Sequence, residues 1–305
     1  MTVAVFGSIN TDVNAYLDRL PKPGETLHGS SYKIGLGGKG ANQAVAARKL
    51  GSDVKFICRI GPDIFGDTAF NEIASYGVST DYILRDPKGA TGLAIINVGG
   101  DGENAISLIG GSNMTLDETD VARSARALEN AKILLLQMEV PFDASLRAAR
   151  LAKKGGATVI LDPAPAPKQP YAREVYDAVD ILTPNEIETA ALVGWQPQSA
   201  DEGLKAAAAL NKTGVKTAIV KLGAQGVCVK GPSWEGFIPP FKVTPVDTVA
   251  AGDSFNGGLA YALEQDMPLQ EAVRFAAACG ALSTTKKGAA AAAPLLAEVE
   301  NLLRQ

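Results

Sequence analysis

Apolar and polar positions along the chain switch between two periods. Residues 3–9 form a short apolar run rich in β-branched side chains, closed by Asn10 and Asp12, and read as a buried strand. Residues 38–50 follow the helical period, with Ala41, Ala44, Val45 and Arg48 on one spacing and Gly51 placed to end the helix. Residues 54–60 predict a second strand, and residues 64–76 a helix ending at Gly77. The pattern then changes. Between Tyr82 and Ile109 the apolar stretches are broken by Pro87-Lys88-Gly89 and Gly99-Gly100-Asp101-Gly102, which are turn signals with no helix between them. Together with residues 26–34 they predict a small antiparallel sheet attached to the main body.

From residue 117 the alternation returns. Helices are predicted over 117–128, 142–154, 186–193 and 201–213, with strands over 133–137, 158–161, 180–183 and 217–222. A short β stretch over 226–241 precedes three helices. This order predicts an α/β fold: a three-layer α/β/α core whose mostly parallel central sheet is covered on both faces, plus the small antiparallel sheet. No long linker or internal repeat interrupts it, so residues 1–305 read as one domain, with about 13–36 and 82–110 forming the inserted sheet. Ligands of such cores sit beyond the carboxyl ends of the strands.

Composition narrows the functions. A net charge of -4 and the absence of a Lys/Arg block speak against nucleic acid and anionic membrane as partners. His28 is the only histidine, so a His-based zinc site or a Ser-His-Asp triad would rest on one residue. Cys58, Cys228 and Cys279 are odd in number, far apart and never spaced as CxxC, which predicts three buried thiols in a reducing cytoplasm. The first residues carry neither a basic leader nor a long apolar run, so no signal peptide or membrane span is expected.

Two segments carry candidate chemistry. In Asp247-Thr248-Val249-Ala250-Ala251-Gly252-Asp253, small residues let backbone N–H groups converge at the start of a helix predicted over 254–264. A helix N-terminus suits an anion. An aspartate there can take a proton from a nucleophile while the N–H groups hold a moving phosphoryl group. The plainer reading makes Asp253 an N-cap or first-turn acid. The second segment is Gly35-Leu36-Gly37-Gly38-Lys39-Gly40-Ala41-Asn42-Gln43. It is not a P-loop, because Gly40 stands where Ser or Thr is required, and it is not expected to follow a strand as a dinucleotide fingerprint does. It offers Lys39 and Asn42 to a polar ligand.

These two segments resemble the two signatures of the ribokinase-like (PfkB) carbohydrate kinases. The resemblance runs from Gly7-Ser8-Ile9-Asn10-Thr11-Asp12 to Lys287-Gly288-Ala289, through Pro23-Gly24-Glu25-Thr26, Thr183-Pro184-Asn185-Glu186 and Phe255-Asn256-Gly257. It implies that Asp253 is the catalytic base and that Ala250, Ala251 and Gly252 form the anion hole. Asn10, Asp12, Gly38, Lys39, Asn42 and Glu139 would bind sugar hydroxyls, each of which needs a partner once buried. Ala94 and Ile96 would cover the sugar from the small sheet, a lid that excludes water. Without the resemblance, Asn10 and Asp12 would read as an Asx turn.

Asn185 and Glu188 match the family's N-x-x-E pattern and would position hydrated Mg²⁺ through waters. A Thr183–Glu186 capping box is the structural alternative, and both can hold. Lys221, Gly223 and Gly226 resemble the nucleotide loop, with Asn185 and Gly252 also facing ATP; a plain β-turn is the alternative. The resemblance further implies a K⁺ or other monovalent cation held by Asp247 and by carbonyls of Val249, Thr284, Lys287 and Ala289. Ala292 stands where a serine is usual, removing one oxygen. Ala250 replaces the wider family's glycine, which is acceptable if φ there stays below zero.

The function implied is ATP-dependent phosphorylation of a sugar primary hydroxyl, D-ribose to D-ribose 5-phosphate. Alternatives within the fold are deoxyribose, fructose, 2-keto-3-deoxygluconate or adenosine as acceptor. A non-catalytic sugar or nucleotide sensor is the alternative of another class, and the presence of Asp253, Asn185 and Glu188 argues against it. A homodimer through the small sheet is expected, because exposed strand edges tend to be covered.

Overall fold

The apolar runs pair into two sheets in the computed structural model, which describes residues 2–305. The strands are β1 (Thr2–Phe6), β2 (Asn10–Tyr16), β3 (Ser31–Gly37), β4 (Asp53–Ile60), β5 (Ile83–Arg85), β6 (Gly92–Val98), β7 (Asn104–Ile109), β8 (Ile133–Gln137), β9 (Thr158–Asp162), β10 (Ile181–Leu182), β11 (Thr217–Lys221), β12 (Val227–Lys230) and β13 (Glu235–Ile238). The helices are α1 (Lys39–Leu50), α2 (Ile64–Ser75), α3 (Glu118–Arg123), α4 (Ala125–Glu129), α5 (Phe142–Lys154), α6 (Arg173–Ala178), α7 (Glu186–Val193), α8 (Ala200–Lys212), α9 (Ala251–Glu264), α10 (Leu269–Ser283) and α11 (Leu296–Leu303).

The main sheet has nine strands in the order β13-β12-β11-β10-β9-β8-β1-β4-β5. All pairings from β11 through β5 are parallel, and β12 and β13 add antiparallel to one edge. Strands of this kind are covered on both faces, so their sequences are continuous apolar runs: all five residues of β8 are buried. Alternate side chains feed two cores. Val3, Val5, Ile133 and Leu135 pack with Ala44, Leu259 and Ala276 from α1, α9 and α10. Ala4, Phe6, Leu134 and Leu136 pack with Ala148 and Ala207 from α5 and α8 on the other face.

The four-stranded sheet has the order β3-β2-β6-β7. Its β3–β2 and β6–β7 pairs are antiparallel, but β2 and β6 run parallel. Three expectations need correction here. β5, expected within the small sheet, pairs with β4 and extends the main one. Asn10 and Asp12, expected to close the first strand, instead open β2: the main-sheet strand stops at Phe6, and the chain turns before joining the second sheet. The helix predicted over 117–128 is also two short helices, broken at Ser124, whose φ of -96° and ψ of 8° leave the helical region.

Candidate active site

The carboxyl ends of β1, β8, β9 and β10 open toward the N-termini of α1 and α9. Gly40 lets α1 approach this closely. A Cβ there would sit 2.6 Å from the Ser8 backbone nitrogen, so only glycine fits against the link between β1 and β2. The glycine-rich segment does follow a strand, β3, contrary to expectation, but that strand belongs to the small antiparallel sheet and makes no βαβ unit with α1.

Asp253 lies in the first turn of α9 and is 5% exposed. Its two oxygens accept from Asn42 Nδ2 at 3.1 Å and Gln43 Nε2 at 3.0 Å, both from α1. The helix begins at Ala251, earlier than expected, so Asp253 sits inside it. Of the two plainer readings the N-cap fails, since Ala250 is the capping residue and makes no side-chain cap bond, while Asp253 is indeed a first-turn acid. Ala251 N–H donates to the Thr248 carbonyl at 3.3 Å. Among the described residues, the N–H groups of Gly252 and Asp253 have no protein acceptor, as helix geometry requires of a first turn. They are the amides the structure offers to an anion. Ala250 departs from expectation: its φ is +57°, in the left-handed region. The loop reverses direction there to aim α9, and the alanine takes the conformation a glycine would take without strain.

Burial raises the Asp253 carboxyl to about 6; Lys39 and the bonds from Gln43 and Asn42 pull it down, while Asp162 pushes it up. Asp12 rises further, to about 7, through burial and the neighbouring carboxylates Glu139, Glu72 and Asp253. Burial works against the charged form of Lys39, yet Asp253, Asp162, Glu139 and Glu188 together hold its ammonium above the ordinary lysine range. This is a site where carboxylates outnumber the cations among them.

The sugar-side residues converge as expected. Glu139 Oε2 accepts from Ser8 Oγ at 2.6 Å and from the Lys39 N–H at 3.0 Å, so it clamps the start of α1 to the end of β1. Asn10 Oδ1 accepts from Asn113 Nδ2 at 2.7 Å, which fixes how its amide is presented. Gly38 has φ +87° and caps α1. Asp12 and Ala94 are register partners across β2 and β6, as are Asn14 and Ile96; Ala94 is buried and Ile96 half-buried.

The nucleotide-side residues lie at the next strands along the sheet. Lys221 Nζ pairs with Asp162 Oδ1 at 3.1 Å and stands over the Phe255 ring. Residues 223–225 make a 3₁₀ turn between β11 and β12, closed by Leu222 N–H to the Gly226 carbonyl, so the plain turn is real. A side chain at Gly223 would point toward Glu186 at the start of α7, which brings the turn beside Asn185.

The capping box on α7 is not Thr183–Glu186. Asn185 is the N-cap, its Oδ1 accepting from Glu188 N–H at 2.9 Å, while Glu188 accepts from Asn185 N–H at 2.8 Å and Nδ2 at 2.9 Å. The two residues expected at the metal therefore cap the helix. Each Glu188 oxygen takes one hydrogen bond and keeps a lone pair, so the pair suits acceptance from water of a hydrated Mg²⁺ better than direct ligation. Burial raises the Glu188 carboxyl above its usual value.

Hydrogen bonds through Asp247 join the two loops that carry the monovalent-cation residues. Asp247 accepts from Val249 N–H and Gly288 N–H, each at 3.0 Å, and so joins the two loops. The Thr284 carbonyl accepts from Val246 and Asp247 N–H at 2.7 and 3.0 Å, which places it beside Asp247. The Ala289 carbonyl accepts one N–H, from Ala292. Ala292 is buried in the 3₁₀ turn Ala290–Ala292 and supplies no oxygen from its side chain.

Sequence reasoning missed Ser8, Gln43, Asn113, Gln137 and Asp162. Only Asp162 had a signal, as an acid at the carboxyl end of a buried parallel strand; the others are neutral side chains whose partners lie about 100 residues away or more.

The chain matches the pfkB family carbohydrate kinases over residues 1–296. It is 42% identical to a ribokinase of Haemophilus influenzae, covering 99% of this chain and 98% of that one. It is 36% identical to a deoxyribokinase of Salmonella typhi, covering 99% of each. The structure of Arabidopsis thaliana ribokinase complexed with ribose and ATP superimposes with a TM-score of 0.90 at 34% identity, over 100% of this chain and 99% of that one. An aspartate-bearing helix N-terminus, a glycine-rich α1 entry and a second small sheet accord with these matches: the chain belongs to the pfkB family of carbohydrate kinases.

Proposed function

We propose that the protein transfers the γ-phosphoryl group of ATP to the primary hydroxyl of D-ribose, giving D-ribose 5-phosphate and ADP. The observation that carries this reading is Asp253: a buried carboxylate aimed by two amide donors, beside the free N–H groups of a helix N-terminus. A base held near 6 by burial is ionised at neutral pH and still basic enough to take a hydroxyl proton in the transition state. The Gly252 and Asp253 N–H groups, with Lys39 nearby, would stabilise charge on the phosphoryl oxygens as it moves in line from donor to acceptor. Asn10, Asp12, Asn42 and Glu139 would hold the sugar hydroxyls, and Ala94 and Ile96 would close over them. Mg²⁺ bound with the nucleotide would neutralise phosphate charge, its waters accepted by Glu188 and Asn185.

Ribose is favoured as acceptor because the Haemophilus and Arabidopsis relatives bear the name ribokinase. Deoxyribose is the second reading, carried by the deoxyribokinase relative, which is 36% identical over the same 99% of the chain against 42% for the Haemophilus ribokinase. Monovalent-cation activation would rest on Asp247 and on carbonyls of Val249, Thr284, Lys287 and Ala289. The small sheet leaves β7 exposed along its whole length, with Ile106, Leu108 and Ile109 in solvent, a face suited to a second copy of this chain. The three cysteines are free and buried, which suits a reducing cytoplasm, and no helix among the described residues is long and apolar enough to cross a membrane.

The test is ADP release with MgATP against ribose, deoxyribose, fructose, 2-keto-3-deoxygluconate and adenosine, with and without K⁺, alongside Asp253→Asn. Ribose should be preferred, and the variant should lose on the order of 10²–10⁴ in kcat while still binding ribose. Equal turnover of the variant would remove Asp253 as base, and preference for another acceptor would remove ribose. A monomer by light scattering at micromolar concentration would remove the dimer.

A further inference from the structure

The base is reached from the far side by a chain of three buried groups. Gln137, at the end of β8, is fully buried and donates from Nε2 to Gln43 Oε1 at 2.7 Å. With its oxygen so engaged, the Gln43 amide has one orientation. Its Nε2 carries two protons, and it donates to Asp253 Oδ1 at 3.0 Å and to Asp162 Oδ2 at 3.1 Å. Asp162 Oδ1 in turn accepts from Lys221 at 3.1 Å. Gln43 is itself fully buried and is turned toward these groups, behind Asn42.

We propose that Gln43 is a positioning residue for the base: its amide, locked by Gln137, holds the Asp253 carboxylate in place and ties it to the Asp162–Lys221 pair on the nucleotide side. This inference rests on Asp253 being the base. Two features argue for it beyond packing. First, an amide that donates to two carboxylates at once makes both of them acceptors, so it favours the form of Asp253 that can receive a proton. Second, the lock has a direction. Gln137 and the two carboxylates hold the amide from opposite ends: turned over, its oxygen would face carboxylates that offer it no proton and its Nε2 would face the Gln137 donor, and without Gln137 the oxygen end is left unheld. Gln137 Oε1 has no hydrogen-bond partner while its Nε2 is engaged, so the pair is held by that single donation. Gln43 and Gln137 hold no substrate in this arrangement and act through Asp253.

The charged groups facing Asp253 are Lys39 from α1, Asp162 from β9 and Asp12 from β2. They remain in a Gln43 variant, so a change on substitution reports the lost amide. The experiment compares wild type with Gln43→Met and with Gln137→Met, each close in shape but without donors and without a new charge. Three readouts are taken: kcat and sugar KM, the pH profile of kcat/KM, and titration of the Asp253 carboxyl by carbon NMR in free protein labelled at aspartate. Gln43→Met should lower kcat at least tenfold with sugar KM changed less than threefold, and should move the acid limb and the NMR midpoint upward by about half a pH unit or more. Gln137→Met should shift both in the same direction by less, although it does not touch Asp253. A Gln43→Met protein that is folded by circular dichroism, with kcat within twofold of wild type and an unmoved Asp253 midpoint, overturns the proposal. So does a Gln137→Met protein that loses only thermal stability. Should Gln43→Met not fold, Gln137→Met decides the matter alone. The NMR titration needs no substrate, so it separates a failure of this inference from a failure to find the acceptor sugar.

Discussion

Replacing Lys221 by Met removes one partner of a buried ion pair and leaves the other in place. The pair is 3.1 Å apart, with side chains 12% and 4% exposed. At an effective dielectric of about 20, charges at that separation attract by roughly 5 kcal/mol before desolvation is counted. Desolvating both groups consumes most of that, so the intact pair contributes little net stability. The single substitution is different, because Asp162 keeps its desolvation cost and retains only the Gln43 amide and the more distant Lys39 ammonium to offset it. Lys221→Met should therefore destabilise by about 3 kcal/mol or more, a large part of the 5–15 kcal/mol that holds an ordinary domain together. Asp162→Asn should cost less, about 1–2 kcal/mol, because the Lys221 ammonium sits on a flexible stem and can reach water. The double variant should be more stable than the sum of the two losses by about 2 kcal/mol. Urea unfolding of the four proteins, followed by circular dichroism, measures all three numbers. A coupling energy below about 0.5 kcal/mol would show that the two charges do not depend on each other and would refute the reasoning.

Three further outcomes follow from the geometry. With Asp253 near 6 and needed in its ionised form, kcat/KM should fall tenfold per unit below about pH 6, and more steeply where Asp12, near 7, must also be ionised; an acid limb centred below pH 4.5 would contradict both assignments. Ala250→Gly should stabilise by about 0.5–1 kcal/mol, since the left-handed penalty of about 1–2 exceeds the added chain entropy, and a lowered melting temperature would mean the Ala250 methyl is a needed contact. Gly40→Ala should cost about 1–3 kcal/mol and raise the sugar KM, because the Cβ meets the Ser8 backbone and must push α1 from Glu139; unchanged KM and stability would show the approach is looser than described.

The parts of the molecule written in periodicity were legible before the structure. α5 and α7 fall on the predicted residues, because each has an unbroken helical spacing between clear ends. The buried parallel strands were equally plain, since both of their faces are apolar. What could not be read were choices between neighbours of similar propensity. β5 is three residues long, and nothing in Ile83-Leu84-Arg85 says whether it joins β4 or β6. Thr183 and Asn185 both cap well, and the register of the chain leaving β10 decided for Asn185. In the site, the glycine-rich and Asp253 segments announced themselves by spacing, and their resemblance to a known family supplied the roles. Gln43 and Gln137 gave no such signal, because a neutral amide gains meaning only from the carboxylates around it.

The base and the two amides that aim it are separated by 210 and 211 residues of chain. During synthesis, the N-terminal half of the chain therefore exists for some time with Asn42 and Gln43 present and no Asp253 for them to hold. The Asn42–Asp253 and Gln43–Asp253 bonds form only after α9 has been added. Recovery of turnover after dilution from denaturant should thus lag behind recovery of helical signal, and the lag times the last long-range closure of the chain. A fragment that ends before α9 lacks the Asp253 carboxylate and the two open N–H groups of the helix start together, so the parts proposed for proton removal and for phosphoryl charge arrive in one step.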